Sequence, residues 1–588
     1  MADDKPPELD EASSAKRRRY DRQLRLWGQH GQEAMEDASI CLLNGSATGT
    51  ETLKNLVLPG IGSFTIVDGA TVTASDLGNN FFLDDSCVGR PRAQCVTELL
   101  QELNEHVSGS YVAEDISEVL SSRPDFFNSF TMVIATQLPA AMLREVASLC
   151  RAVKLPLLVV HTYGFLGYLR LDLGDHQVVE THPDHPPSDL RLLHPPAALR
   201  ALVDQQYADL SSLSDSAFAH TPWAVLIVKA VDEWKAKNGG KLPTAYAQKK
   251  EVKAILESYR RPGVQADQNI DEALSAATTA LNVLRPSREV LSLLGEARAR
   301  LSALVGESHA EGSAGAGGAT SSSPGLLAAR KAQISFYLMA AAVHRFVEEG
   351  KAADADSSLG FLPLMGTIPD MTADTATYVS LQQIYAQQAS SDVAAVEAAV
   401  RDIAQAEGLS ADMISDEELK RFCKNAHTLQ RIAYSHVSDE YASPPTEAAA
   451  QAASDFVNGS IASADPAKGG ELYLLLRAAR AFRSQRSRWP GEDKASVESD
   501  LAQLRMSVGE VSKDLGLPPP SNGASSHVSD DMIAEFCRWG GCEMHAIASV
   551  MGGIASQEAI KAATHQYQPL NNTFLFNGAN GTTAAAKL

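Results

Sequence analysis

The chain is short of positive charge: 51 lysines and arginines face 72 aspartates and glutamates, for a formal net charge of −21. Affinity for nucleic acid comes largely from cations that displace condensed counterions, so this balance argues against a nucleic-acid binder and for protein partners. No apolar run approaches the ~20 residues a helix needs to cross a bilayer, so no membrane partner is expected. Residues 1–8 are polar and charged where a secretory signal needs an apolar core, and the protein is expected to stay inside the cell. Cysteine is scarce and unpatterned. Cys41, Cys87, Cys95, Cys150, Cys423, Cys537 and Cys542 include no C-x-x-C pair of the kind that holds zinc, which predicts reduced, mostly buried thiols. The single basic run, residues 16–19, reads either as a nuclear address or as a solvated lead into the first helix.

What the chain does contain is material for two or three structural units, with 44% hydrophobic and 21% charged residues across 588 positions. Strand-like and helix-like patterns alternate through residues 1–175, which predicts an α/β fold with a doubly wound, mainly parallel sheet. Expected strands are 39–44, 63–67, 130–135 and 155–160. A helix over 50–58 is stopped by Pro59 and Gly60, and another over 93–103 begins just after Pro91. From 176 to 527 the texture becomes long, Ala-rich and helical, the mark of an insertion, with a flexible loop expected at about 309–325. Residues 528–588 return to the first style and are expected to rejoin the first domain. Ile547, Val550, Met551 and Ile554 mark an apolar helix face there, and 572–576 an extended segment. Gly552 and Gly553 inside that helix weaken it by about 1–2 kcal/mol relative to alanines, which implies a close backbone approach.

The turn after the first strand, Asn44, Gly45, Ser46, Ala47, Thr48 and Gly49, stands where such folds cradle phosphate at a helix N-terminus. Glycines are wanted at its first, third and sixth positions, and the chain offers Asn44, Ser46 and Gly49. A nucleophile elbow needs serine at the centre of 45–49, where Ala47 stands. A Walker lysine pattern is absent. Asp68 ends the second strand either as a ribose-binding acid or as a turn cap. His182 and His185, with His176 and His194 nearby, suggest metal, but the intervening prolines favour an extended surface segment, and no metal site is expected.

Tyr20-Asp21-Arg22-Gln23-Leu24-Arg25-Leu26-Trp27-Gly28, residues 49–68 and residues 551–560 resemble the enzymes that activate ubiquitin-like proteins and their bacterial ThiF/MoeB relatives. Residues 59–66, 78–82, 366–371 and 571–573 are similar to the subgroup of regulatory subunits serving NEDD/Rub-type modifiers. The resemblance implies a Rossmann-like ThiF-type adenylation fold, inactive here, with a helical insertion. Active members carry a glycine-rich loop, an arginine and a magnesium-holding aspartate; the matching positions are 44–49, Asn79 and Gln137, and an amide cannot supply the charge a hard cation needs. Asp68 remains as a relic. Cys423 is the one cysteine in the insertion, and its setting predicts a buried helical thiol rather than the thioester nucleophile.

The resemblance further implies a heterodimer with a catalytic subunit that carries ATP, magnesium and a structural zinc, while this chain binds no cofactor. Arg22 is expected to act in trans on the partner's phosphates, or else as an interface salt bridge. A NEDD/Rub-type modifier and, indirectly, its conjugating enzyme are the further partners, and cytoplasm and nucleus the expected locations. The alternatives are a regulatory subunit for SUMO, a self-sufficient activating enzyme and an NAD-binding Rossmann oxidoreductase.

Overall fold

Short runs such as Ile40-Cys41-Leu42-Leu43 and Met132-Val133-Ile134-Ala135 are apolar on both sides of the pleat, so they form strands only where helices cover both faces of a sheet. The computed structural model describes residues 16–588 except 124, 186–187, 262–267, 283, 314–323, 354–360, 443–444, 463–468 and 521–525. Its strands are β1 (Ser39–Leu43), β2 (Ser63–Val67), β3 (Ser108–Val112), β4 (Met132–Thr136), β5 (Leu157–Tyr163), β6 (Leu166–Asp172), β7 (Asp175–Val178), β8 (Gln430–Ala433), β9 (Thr573–Asn577) and β10 (Thr582–Ala586). Eight of them form one sheet in the order β10-β9-β6-β5-β4-β1-β2-β3, and β7 and β8 form a second. From β3 to β5 all pairings are parallel; β6, β9 and β10 add antiparallel strands. Strand order reverses between β1 and β4, and in open sheets of this kind that crevice is where ligands bind.

The chain divides into two compact units, one of residues 1–178, 319–330 and 431–588, the other of 179–318 and 331–430. Residues 431–527 therefore belong with the sheet rather than with the insertion expected over 176–527. The reason is packing at long sequence separation. Tyr473, Leu475 and Leu476 of the Gly470–Arg486 helix share a core with Val133, Leu157 and Tyr168 of the sheet. Arg170 of β6, fully buried, donates to Glu440 Oε2 at 3.0 Å, and Tyr473 Oη donates to Glu440 Oε1 at 2.9 Å. Burial works against the Glu440 charge, but Arg170 and Arg477 prevail and hold its carboxyl below the ordinary range.

The other unit is helical. One core gathers Trp223, Trp234, Leu256, Ile270 and Tyr385; another gathers Phe336, Leu338, Val396, Phe422 and Cys423. Of the loop expected at 309–325, residues 314–323 lie outside the described residues. Its flanks are instead helical, as the ends of Arg288–Ser313 and Pro324–Ala353.

Helix boundaries near the crevice follow local chemistry. The Asp21–Glu36 helix breaks at Gly28, whose φ of 71° and ψ of 177° are not helical. The Ala47–Val57 helix ends ahead of Pro59, and at Gly60 (φ +90°) a Cβ would lie 2.5 Å from Tyr20 Oη. In the closing helix, His545–Thr564, a Cβ on Gly552 would lie 2.7 Å from the Glu51 carbonyl carbon, whereas Gly553 faces open space. The close approach thus concerns Gly552 alone. Ile547 and Met551 are buried and Ile554 is half-buried, but Val550 is 42% exposed, so the buried face is narrower than expected.

Candidate nucleotide site

The crevice is bounded by the turn after β1, the end of β2 and the end of β4. Asn44 opens the turn at φ 73°, a left-handed conformation that asparagine tolerates better than most residues. Gly49 is required where it stands, because a Cβ there would lie 2.7 Å from the Asn44 carbonyl oxygen and 3.0 Å from Thr136 Oγ1. In this turn the Gly45 and Thr48 N–H groups and the Ser46 and Thr48 hydroxyls already have acceptors.

Ser46 is the N-cap of the Ala47–Val57 helix, yet its side chain caps no backbone N–H of that helix. Instead Ser46 Oγ donates to Glu543 Oε2 at 3.1 Å, and the Thr48 backbone N–H donates to the same oxygen at 2.9 Å. The Thr48 hydroxyl donates to it as well and lies 2.8 Å from Thr162 Oγ1. A carboxylate from the far end of the chain thus sits on the positive end of this helix, an arrangement that typically contributes roughly 0.3–2 kcal/mol.

Asp68 is also occupied. Its Oδ2 accepts from Arg92 Nε at 2.7 Å and from the Gly45 N–H at 3.0 Å, and its Oδ1 accepts from the Ala70 N–H at 2.9 Å. Arg92 also donates to Asn44 Oδ1 at 2.7 Å and to Asp76 Oδ1 at 3.0 Å. Burial opposes the Arg92 charge, but the two aspartates outweigh it and raise its pKa above the ordinary value. Of the two sequence readings of Asp68, the turn cap is what the structure shows, in the Ala70 N–H bond, and the other carboxylate oxygen is tied up by an arginine.

Gln137, at φ 56°, closes the third side. Its Nε2 donates to the Thr162 carbonyl at 2.8 Å, and its Oε1 accepts the Thr162 N–H at 3.3 Å. Arg483 donates to the Gln137 carbonyl at 2.9 Å and lies 4.5 Å from the centre of the Trp489 ring. A guanidinium therefore stands beside the position where a hard cation would need a carboxylate. Asn79 makes one long contact, its N–H to the Asp76 carbonyl at 3.4 Å; its neighbour Asn80 is the buried one, donating to Thr50 Oγ1 at 3.0 Å. These groups do not suit a nucleotide with magnesium: phosphate would meet the Glu543 carboxylate, ribose hydroxyls would compete with Arg92, and the cation would meet an amide and a guanidinium.

The other expected site residues lie apart. Arg22 is exposed in the helix segment before Gly28, and among the described residues it has no hydrogen-bond or ion-pair partner; neighbouring Arg25 pairs with Asp21 at 2.9 Å. Cys423 is fully buried, and burial, with a smaller contribution from Asp392, pushes its thiol up to about 12, far from a nucleophilic thiolate at neutral pH. Among the described residues no three His, Cys, Asp or Glu side chains form a metal-holding group. His176 stacks on His565 with ring centres 4.8 Å apart. Glu543, Arg92 and Arg483 are the residues that sequence reasoning missed; the only local hint was an acid placed directly before the closing helix.

Residues 20–588 match the ThiF family. The chain is 39% identical to the NEDD8-activating enzyme E1 regulatory subunit of Xenopus laevis over 97% of its own length and 99% of that protein's. It is 38% identical to the protein of the same name from Danio rerio, covering 99% and 100%. With the NEDD8-activating enzyme E1 regulatory subunit AXR1 of Arabidopsis thaliana it shares 36% identity, covering 97% and 96%. A ThiF-type sheet, a cradle filled by its own side chains and near-full-length identity point the same way: the chain belongs to the ThiF family and, within it, to the NEDD8-activating enzyme E1 regulatory subunits.

Proposed function

We propose that this chain is the non-catalytic half of a heterodimeric enzyme that activates a NEDD8-type modifier, the modifier named in its relatives. The observation that carries the non-catalytic reading is the Glu543 carboxylate on Ser46 and Thr48, which spends the donors a phosphate would need. On this reading the chain binds no cofactor. A separate catalytic subunit supplies ATP, magnesium, a structural zinc and the thioester cysteine, and the modifier's C-terminal carboxylate attacks the α-phosphate there. Arg22, exposed on the N-terminal helix, then serves the partner's phosphates in trans; a guanidinium suits this because it keeps its charge and offers paired donors to phosphate oxygens. The conjugating enzyme is an indirect partner, and cytoplasm and nucleus are the expected locations. The SUMO-serving and nicotinamide-dependent alternatives gain no support from the relatives above.

The test is modifier-dependent ATP–pyrophosphate exchange by the catalytic subunit alone, by this chain alone and by the mixture. The expected outcome is exchange only in the mixture, with NEDD8 and not with SUMO. Exchange by this chain alone would overturn the reading.

A further inference from the structure

We propose that Glu543 is a built-in substitute for a phosphate group: an intramolecular carboxylate that occupies the cradle, keeps anionic ligands out of it and ties the closing segment to the turn after β1. Phosphates at helix N-termini are held by backbone N–H groups and small hydroxyls. Glu543 is held by the same kind of set, the Thr48 N–H and the Ser46 and Thr48 hydroxyls, all converging on Oε2. Ser46 illustrates the substitution. An N-cap serine ordinarily accepts a backbone N–H of its own helix, whereas this one donates to a residue 497 positions away.

The segment that delivers Glu543 is fixed independently of these bonds. The Gly164 N–H donates to the Cys542 carbonyl at 2.8 Å, and a Cβ on Gly164 would lie 2.4 Å from the Trp539 ring, so the backbone approaches closely only because residue 164 is glycine. Two residues on, His545 Nε2 lies 3.3 Å from Glu51 Oε1 of the same cradle helix. The carboxylate is therefore presented from a braced position. Arg92 on Asp68 and Arg483 on the Gln137 carbonyl extend the pattern, with in-chain groups standing where sugar hydroxyls and a cation would be.

The inference rests on the reading that this pocket holds no nucleotide, and one experiment separates the two. Urea unfolding of the full chain is followed with and without millimolar inorganic pyrophosphate at matched ionic strength, for the unmodified protein, Glu543→Ala and Glu543→Gln. The expected result is a lower midpoint for both variants, a concentration-dependent recovery by pyrophosphate that is larger for Ala than for Gln, and no response from the unmodified chain. Gln retains an acceptor for the Thr48 N–H without the charge, so it also carries the test if the Ala variant fails to fold. An unmodified chain that responds to pyrophosphate as strongly as the variants overturns both readings. Variants that are less stable but indifferent to pyrophosphate overturn the phosphate-substitute inference and leave the non-catalytic reading standing.

Discussion

The crevice and the N-terminal helix treat polar groups in opposite ways. Around the turn after β1, Asp68, Thr48 and Gln137 are buried and paired within the chain, through Arg92, Glu543 and Thr162. Arg22 is exposed and, among the described residues, has no partner. A buried polar group left unpaired is expensive, so a site that has lost its ligand must find replacements inside the fold. An exposed arginine is solvated at little cost and can wait for a second molecule. The difference separates residues that serve this chain from a residue available to another.

Six substitutions and a change of pH can break or sharpen that contrast. Arg22→Ala carries the largest expected effect: exchange by the mixture slows by roughly a hundredfold or more, in line with the loss of a transition-state cation, while gel filtration still shows the heterodimer. Unchanged single-turnover adenylation would remove Arg22 from the mechanism. On the internal side, Gly552→Ala forces a Cβ against the Glu51 and Thr52 backbone and is expected to lower stability by about 1–3 kcal/mol. Gly553→Ala, facing open space in the same helix, is expected to raise stability by about 0.5–1 kcal/mol; equal effects in urea unfolding would refute the assignment of the close contact.

Gln137→Asp removes the amide donor to the Thr162 carbonyl and places a carboxylate beside it. The expected loss is about 1–3 kcal/mol, the usual penalty for leaving a buried partner unsatisfied, and exchange by this chain alone stays absent. Gain of exchange would show that the crevice is one residue away from activity. A milder probe is pH. His161 and His176 are buried and His565 is half-buried, and desolvation, together with Arg480 and Arg483 for His161 and with His565 for His176, lowers their pKa values. Folded histidines then stay neutral while unfolded ones take up protons below about pH 6.5, so stability is full above that pH and falls beneath it. The slope is at most roughly 1.4 kcal/mol per pH unit for each histidine, and replacing His176 with Phe should flatten it. Cys423→Ala is expected to cost roughly 1 kcal/mol and to leave thioester formation by the heterodimer intact, as a packed thiol with a pKa near 12 requires.

Much of this architecture was legible in the sequence, for a physical reason. β1, β4 and β5 are apolar on both faces, and short runs of that kind between amphipathic helices have few other uses. β3 was missed because its residues are mostly exposed and carry little apolar signal. The 431–527 stretch was assigned to the insertion because an Ala-rich helix looks the same whether it packs on another helix or on a sheet; the Arg170–Glu440 pair that decides the matter spans 270 residues. At the crevice the missing glycines and the Gln137 amide were readable, since they are absences. The replacements were not, because Glu543 comes to Ser46 only through the tertiary fold.

The order of the strands carries a consequence for biosynthesis. β6 pairs with β5 on one side and with β9 on the other, and β9 arrives about four hundred residues later in the chain. While a ribosome is still making the intervening helices, the growing β6 presents an open edge, and the turn after β1 lacks its carboxylate. Exposed edges of this kind invite pairing with other chains. The nascent polypeptide therefore spends most of its synthesis in need of shielding, and chaperone occupancy should persist until residues 573–577 have left the exit tunnel.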